Sequence, residues 1–228
     1  MTYRRFLIAA AMPSAIGLAA AGSAVAATTV SVRVEGGAKT LVAAKVKAPA
    51  SGSITKGGTP AGACRANSAA GALDVATHHN WDGSYSSGLG IEVNTILGTT
   101  YSFSKGAYWG FYVNDHFASK GVCDTAVKPG EQLLFARVPA KGKTPRPLVI
   151  RAPAHATVGS SFTVKAFDYP GKGKATKPVS GVRFTGASGR TNARGVAHLT
   201  ARRAGKLRLV GSRRGVIRSA AVTVTVGR

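Results

Sequence analysis

The residue types that could do chemistry are few in this chain, and their spacing does not favour a catalytic site. Residues 53–56 and 102–105 both satisfy the S-x-x-K pattern of one class of serine hydrolases. The S-D-N and K-T-G motifs that accompany this pattern are absent from the chain, as is a G-x-S-x-G elbow. The acidic residues are scattered and do not form the carboxylate pair of a glycoside hydrolase. We therefore expect a protein that is not an enzyme.

A metal site is the second chemistry to consider. His78 and His79 are adjacent, and Asp82 and His116 could supply further ligands. Adjacent histidines at the end of a helix commonly face solvent instead. We expect no bound metal and no cofactor.

The cysteines point to covalent rather than catalytic chemistry. Cys64 and Cys123 are the only two in the chain, and no C-x-x-C motif is present. An even pair in an exported protein favours a disulfide. We predict that Cys64 and Cys123 are joined, which would connect the segment before a predicted helix to the loop after a predicted strand.

Export itself is predicted from residues 1–27. Arg4 and Arg5 precede an apolar run at residues 6–21, and Ala24-Val25-Ala26 supplies the small residues of a cleavage site. This three-part pattern is typical of a secretory signal peptide. The alternative, a retained membrane anchor, requires roughly 20 apolar residues, which is more than this run contains. We expect a secreted protein without a membrane span, associated with the cell envelope or wall.

Charge divides the remaining chain in two. A proline- and lysine-containing linker at residues 139–147 separates residues 28–138 from residues 148–228. Residues 28–145 contain 12 basic and 7 acidic residues, whereas residues 146–228 contain 17 basic residues and one acid, Asp168. Outside a cell, such a basic surface would attract anionic envelope polymers or surface glycans. The alternative is that the charge only improves solubility or reflects genome composition.

The candidate contacts with a polyanion are four arginines in predicted turns: Arg202, Arg203, Arg213 and Arg214. Aromatic residues interleaved with basic ones, which are typical of single-strand nucleic-acid binders, are scarce in this part of the chain. We therefore do not expect nucleic acid as a partner.

Hydrophobic periodicity predicts an α+β unit followed by an all-β unit. Alternation favours strands at residues 28–35 and 40–46. Spacings of three and four indicate a helix at residues 69–77, with Ala69, Ala72, Leu73 and Ala76 as its buried stripe. Further strands are expected at residues 91–97, 108–113 and 132–138. The helix should pack against one face of the sheet. In the second unit, short alternating strands separated by glycine and proline turns predict a small β-sandwich. The strands are expected at residues 148–151, 161–167, 181–185, 196–201, 206–211 and 220–226. Their inward residues would be Val182, Phe184, Leu207, Leu209, Val222, Val224 and Val226.

Two family resemblances accompany these patterns. Residues 108–115 (Y-W-G-F-Y-V-N-D), residues 128–134 (K-P-G-E-Q-L-L) and Ala72-Leu73-Asp74 resemble the transcobalamin-like C-terminal domain family, which has a β-grasp fold. Asp115 stands where that family usually has glycine, and Glu131 where it has aspartate. Residues 191–197 (T-N-A-R-G-V-A) and 204–209 (A-G-K-L-R-L) resemble bacterial immunoglobulin-like domains, which implies a spacer or adhesion module.

A ligand site is predicted on the aromatic strand. Trp109, Phe111 and Val113 share one face, which should pack on the helix, whereas Tyr108 and Tyr112 flank Gly110 on the other. Two tyrosines around such a gap would suit a sugar, a peptide or a flat ligand. The alternative is ordinary cross-strand packing.

Two further aromatic residues, Trp81 and Tyr85, are candidates for the rim of this surface. The function expected from all these features is that of a secreted, non-enzymatic envelope protein. In this interpretation the β-grasp unit binds a ligand or polymer, and the basic immunoglobulin-like unit contacts anionic polymers. The alternative is a carrier of a planar, cobalamin-like small molecule. The helical barrel that covers the other side of cobalamin in transcobalamins has no room in this chain.

Overall fold

The computed structural model describes residues 26–169 and 176–228. The predicted signal peptide therefore lies almost wholly outside the described residues. Within the described part the protein is rich in β-structure, with a single α-helix. No helix in these ranges is long and apolar enough to cross a membrane.

The first half of the described chain contains the helix and eight strands. They are β1 (Thr28–Glu35), β2 (Thr40–Ala48), α1 (Ala69–Ala76), β3 (Trp81–Ser86), β4 (Gly90–Ile96), β5 (Thr99–Thr100), β6 (Ala107–Val113), β7 (His116–Phe117) and β8 (Gln132–Pro139). The predicted strands and the helix are present at nearly the predicted bounds. The short strands β5 and β7 were not predicted, nor was β3, whose polar and glycine residues hide its alternation.

A five-stranded sheet with the order β2-β1-β8-β6-β7 forms the centre of this half. β1 is antiparallel to β2 and parallel to β8, whereas β8 is antiparallel to β6. Val30, Val32 and Val34 on β1 are all buried, as their alternation predicts. They join α1 and the small sheet β3-β4-β5 in one hydrophobic cluster on one side of the large sheet.

Helix α1 packs by small side chains. The predicted stripe of Ala69, Ala72, Leu73 and Ala76 is buried. Ser68 occupies the N-cap position, but its hydroxyl donates to the Arg65 carbonyl instead of capping the helix. The first free N–H groups of the helix, which need partners, instead donate to carbonyls of the loop at residues 122–125, at 2.9 and 3.1 Å.

The second half contains ten strands. They are β9 (Arg146–Arg151), β10 (His155–Thr157), β11 (Ser161–Asp168), β12 (Lys177–Pro178), β13 (Arg183–Phe184), β14 (Val196–Thr200), β15 (Gly205–Leu209), β16 (Gly211–Ser212), β17 (Val216–Ile217) and β18 (Val222–Gly227). Six of these correspond to predicted strands. The short strands β10, β12, β16 and β17 were not predicted.

These strands form two layers around a second hydrophobic cluster. In one layer β11 pairs with β9, β12 and β14, and β9 also pairs with β17. In the other, β18 lies between β10 and β15, and β13 and β16 form a separate two-stranded sheet. Of the predicted inward residues, Val182, Phe184, Leu209, Val224 and Val226 are buried, whereas Leu207 and Val222 are partly buried against the cluster.

The two halves meet over the face of the large sheet that is opposite to α1. Ile217 on β17 is buried there against a third cluster whose other members are Tyr112, Leu134, Ala136 and Val138. A polar contact lies beside it. Glu35 is only 3% exposed and pairs with Arg33 at 2.9 Å and with Arg218 at 3.9 Å. The Arg33 guanidinium also donates to the Arg218 carbonyl at 2.6 Å.

Candidate functional site

The disulfide predicted from the sequence is present. Cys64 and Cys123 are bonded, with their Cα atoms 4.7 Å apart. Both cysteines are buried, and the bond holds the loop at residues 122–125 against the start of α1. It therefore fixes the carbonyls that satisfy the helix N-terminus.

The apolar face of strand β6 packs as predicted, but its opposite face is covered instead of open. Trp109 and Phe111 pack in the cluster that contains α1, which confirms the assignment of the apolar face. The expectation that Tyr108 and Tyr112 lie on an open face is wrong for Tyr112. Its side chain is 1% exposed, because β17 and the residues before β9 cover this part of the sheet.

Polar contacts confirm that Tyr112 is a core residue. Its hydroxyl donates to the Pro145 carbonyl at 2.8 Å. Burial raises the pKa of this phenol well above its ordinary value, and the nearby Tyr108 phenol adds to the effect. An ionised Tyr112 would be poorly solvated in this position.

The gap at Gly110 is filled. A Cβ atom at this position would collide with a methyl group of Val138 and would lie 3.2 Å from the ring of Phe117. The glycine therefore accommodates these two side chains and leaves no space for a ligand. Tyr108 alone of the tyrosine pair remains partly exposed.

The structure does not bring the four predicted aromatic residues together. Trp81 and Tyr85 belong to the cluster on the α1 side of the large sheet, whereas Tyr108 and Tyr112 are on the other side. Trp81 is 3% exposed, and its indole N–H donates to Asp74 at 2.8 Å. A ligand-binding role for the partly exposed Tyr85 and Tyr108 stays a prediction.

Two phenylalanines that the sequence did not single out are exposed near the tyrosines of β6. Phe103 is 60% exposed and its ring centroid is 5.9 Å from that of Tyr108. Phe117 is 47% exposed and packs edge-on against Tyr112 at 5.1 Å. The turn signal at Asn114-Asp115 could have located Phe117, because a two-residue turn returns the chain alongside β6.

The same turn shows the cost of the departure at Asp115, where the family that the chain resembles usually has glycine. Asn114 and Asp115 both have positive φ, at 50° and 64°. Glycine adopts this conformation without strain, whereas aspartate does so at a cost. Burial raises the pKa of the Asp115 carboxyl, and the nearby Arg33 and His116 side chains oppose this shift.

A groove of about 620 Å³ borders the turn and the loop that follows it. Its lining combines the exposed ring of Phe117 with charges of both signs, from Lys120, Lys128, Asp124 and Glu131. The Glu131 carboxylate accepts the backbone N–H of Lys128 at 2.9 Å, so it is engaged within its own turn.

The histidines have separate structural surroundings. His79 pairs with Asp74 at 2.5 Å and is 75% exposed, and His116 packs edge-on against Tyr169 at 4.7 Å. Asp82 accepts the backbone N–H of Gly83. In the described ranges, no three histidine, cysteine or carboxylate side chains are placed to hold a metal ion.

The four predicted polyanion contacts are all exposed, but they form two pairs rather than one patch. Arg202 and Arg203 lie between β14 and β15, whereas Arg213 and Arg214 lie between β16 and β17. β15 and β16 separate the two pairs. Between them, Lys206 and Arg208 are exposed at alternate positions of β15 and thus project from the same face.

Few of the basic side chains in the second half are neutralised within the protein. Among the described residues of this half, every lysine and arginine except Arg218 is exposed. Asp168 pairs with Arg146 at 3.2 Å, and Arg218 reaches Glu35 of the first half. The remaining positive charges face solvent without an acidic partner in the described part of the chain.

Comparison with known proteins finds a similarity in part of the chain. No curated protein matches it. The match to a family model begins within α1 and ends in β8. It includes the aromatic strand and the turns within residues 108–115 and 128–134. Residues 72–137 are thus similar to the transcobalamin-like family described as Domain of unknown function (DUF4430).

Proposed function

We propose that this protein is a secreted, non-enzymatic envelope protein that binds anionic polymers through its basic second half. Residues 28–138 would form a β-grasp domain and residues 148–228 an immunoglobulin-like domain, joined by the linker at residues 139–147. The proposal is carried by the exposure of nearly all the basic side chains that the structure describes in the second half.

The sheet topology supports the two proposed domain types. A hairpin β1-β2, a helix on one face and a central parallel pair β1-β8 are arranged as in a β-grasp fold. In the second half, two layers of short strands with β10 parallel to the last strand, β18, fit an immunoglobulin-like sandwich. Such folds host many functions, so the proposed binding depends on the positive charge of the second half and not on its fold.

Secretion is supported by two independent features. The first 27 residues have the pattern of a signal peptide. The Cys64–Cys123 disulfide is suited to an oxidising compartment. Outside the cytoplasm, the abundant polyanions are polymers and lipids of the envelope, to which this surface would be attracted.

Electrostatic attraction of this kind has a measurable signature. Exposed charges are screened over about 8 Å at physiological ionic strength, so only a multivalent contact persists there. We expect the mature protein to sediment with isolated envelopes of its host at low salt and to dissociate as salt rises. Replacing Arg202, Arg203, Arg213 and Arg214 with glutamate should weaken this retention sharply.

The test has two outcomes against the proposal. Absence of retention at low salt, or retention that does not change with salt, would leave solubility as the role of the charge. The rival function, a carrier of a planar small molecule, predicts a bound ligand. Native mass spectrometry and an absorbance spectrum of the protein purified from its host would detect it.

A further inference from the structure

Exposed basic residues lie on strand β15, in the turn that precedes it and in the turn that follows β16, and the buried segment 209–211 separates Arg208 from the last pair. Lys206 and Arg208 alternate along the strand, and an arginine pair lies beyond each end of the segment β15-β16. We call these six residues the basic stripe: Arg202, Arg203, Lys206, Arg208, Arg213 and Arg214. The chain between Arg203 and Arg213 is roughly 30 Å long at about 3.3 Å per residue of strand.

The length of the stripe limits what can occupy it. Its two ends are separated along the chain by several screening lengths of about 8 Å. A compact anion would therefore contact one end or the centre, and only an extended polymer could contact all six side chains.

The neighbouring strand adds hydrogen-bond donors rather than opposing charge. In the register of β15 with β18, Lys206 is opposite Thr225 and Arg208 is opposite Thr223. Both threonines are exposed, so their hydroxyl groups lie beside the cations. His155 on β10 is in turn opposite Thr225. Hydroxyl groups can donate to oxyanions.

The choice of arginine over lysine is specific to this half of the chain. Residues 146–228 contain 12 arginines and 5 lysines, whereas residues 28–145 contain 3 arginines and 9 lysines. Both halves come from the same gene, so a bias in genome composition does not explain the contrast. Arginine presents a planar fork that binds phosphate and carboxylate groups through two hydrogen bonds.

We propose that the basic stripe is a linear binding site for a polymer that carries an oxyanion in each repeat, an inference that rests on the proposed function. The polymer lies along β15, with its central oxyanions at Lys206, Arg208 and the two threonines. The arginine pairs hold it at both ends.

The opposite layer provides a matched control. Arg151 on β9 and Lys165 on β11 are register partners, and both are exposed. The Arg151 guanidinium lies over the ring of Phe167 at 5.7 Å, and the neighbouring Val149 and Val196 are apolar. Replacing this pair with glutamate changes the net charge by as much as replacing Lys206 and Arg208.

The experiment measures binding of the full mature chain to long-chain inorganic polyphosphate, to polygalacturonate and to tripolyphosphate over a range of salt concentrations. Six contacts predict a slope of log K against log salt of about −4 for a single-stranded polymer. Lys206→Glu with Arg208→Glu should lower the affinity at least tenfold and make the slope shallower. Arg151→Glu with Lys165→Glu should lower the affinity less than threefold.

Each result has a defined meaning. Long polyphosphate should bind more tightly per phosphate than tripolyphosphate, and the better of the two polymers identifies the oxyanion. Equal losses in the two glutamate pairs, with melting temperatures unchanged, would overturn the stripe while leaving the proposed function intact. Equal affinity per phosphate for the long and short chains would overturn it too. Failure of the wild type to bind any polyanion would refute both.

Discussion

Replacement of Tyr112 separates a core role from a ligand-binding role. Its buried ring packs against Ile217 and Phe117, and its hydroxyl satisfies the Pro145 carbonyl. Loss of a buried aromatic side chain costs about 3–5 kcal/mol. Tyr112→Ser should therefore remove a large part of the free energy of unfolding, which is about 5–15 kcal/mol for a typical domain.

Two companion variants calibrate this effect. Tyr112→Phe keeps the ring and removes only the hydroxyl donor, so we expect a loss of about 1 kcal/mol. Tyr108→Ser changes a partly exposed residue on the same face of β6, and we expect a loss below about 2 kcal/mol. Urea denaturation followed by circular dichroism measures all three.

The same side chain predicts a pH dependence. The folded-state pKa of Tyr112 is raised above its ordinary value of 10.0, so the unfolded chain releases this proton first as pH rises. Its contribution to stability is therefore complete below pH 10 and declines above it. Tyr112→Phe should make the alkaline loss of stability shallower. Tyr101, whose pKa is also raised, is present in both the wild type and the variant, so it does not contribute to the difference between them.

The stability losses of the two serine variants show whether this face is covered. If Tyr112→Ser costs no more than Tyr108→Ser, the Tyr112 ring is not part of a core. The open tyrosine surface expected from the sequence would then be the better description.

Three further predictions concern the first half of the chain. Replacing Cys64 and Cys123 together with alanine should lower the free energy of unfolding by roughly 4 kcal/mol, measured by urea denaturation, because a long loop is no longer closed; an unchanged midpoint would contradict this. Asp115→Gly should raise stability by about 1 kcal/mol at pH 7, because it relieves a positive φ. This gain should shrink in acid, because the pKa of Asp115 is raised in the folded state and protonation therefore stabilises the folded wild type. Thermal melts of the wild type and the variant at pH 7 and pH 3 measure the gain at each pH. A glycine-to-alanine change usually stabilises a helix. Gly71→Ala should nevertheless lower the melting temperature, because the new Cβ would collide with the Ala66 carbonyl. The control Gly227→Ala, which has open space around it, should not lower the melting temperature.

Much of the local structure follows from the sequence because it depends on near neighbours. Alternation of Val30, Val32 and Val34 with polar residues is enough to predict β1 and its buried face. The stripe of small residues similarly predicts α1. Strand β3 escaped prediction because Trp81 and Tyr85 are its only large apolar residues, and its pairing with β4 decides its conformation.

The sequence by itself determined the pairing of Cys64 with Cys123 and the excess of positive charge after residue 146, since both depend only on which residues are present. It also determined that Trp109 and Phe111 share a face. Only the tertiary structure decided that the opposite face is covered, because the covering residues come from the far end of the chain. Arg33 and Arg218, which meet beside that cover, are 185 positions apart. Periodicity within one strand defines two faces but contains no information about which distant segment will pack on either of them.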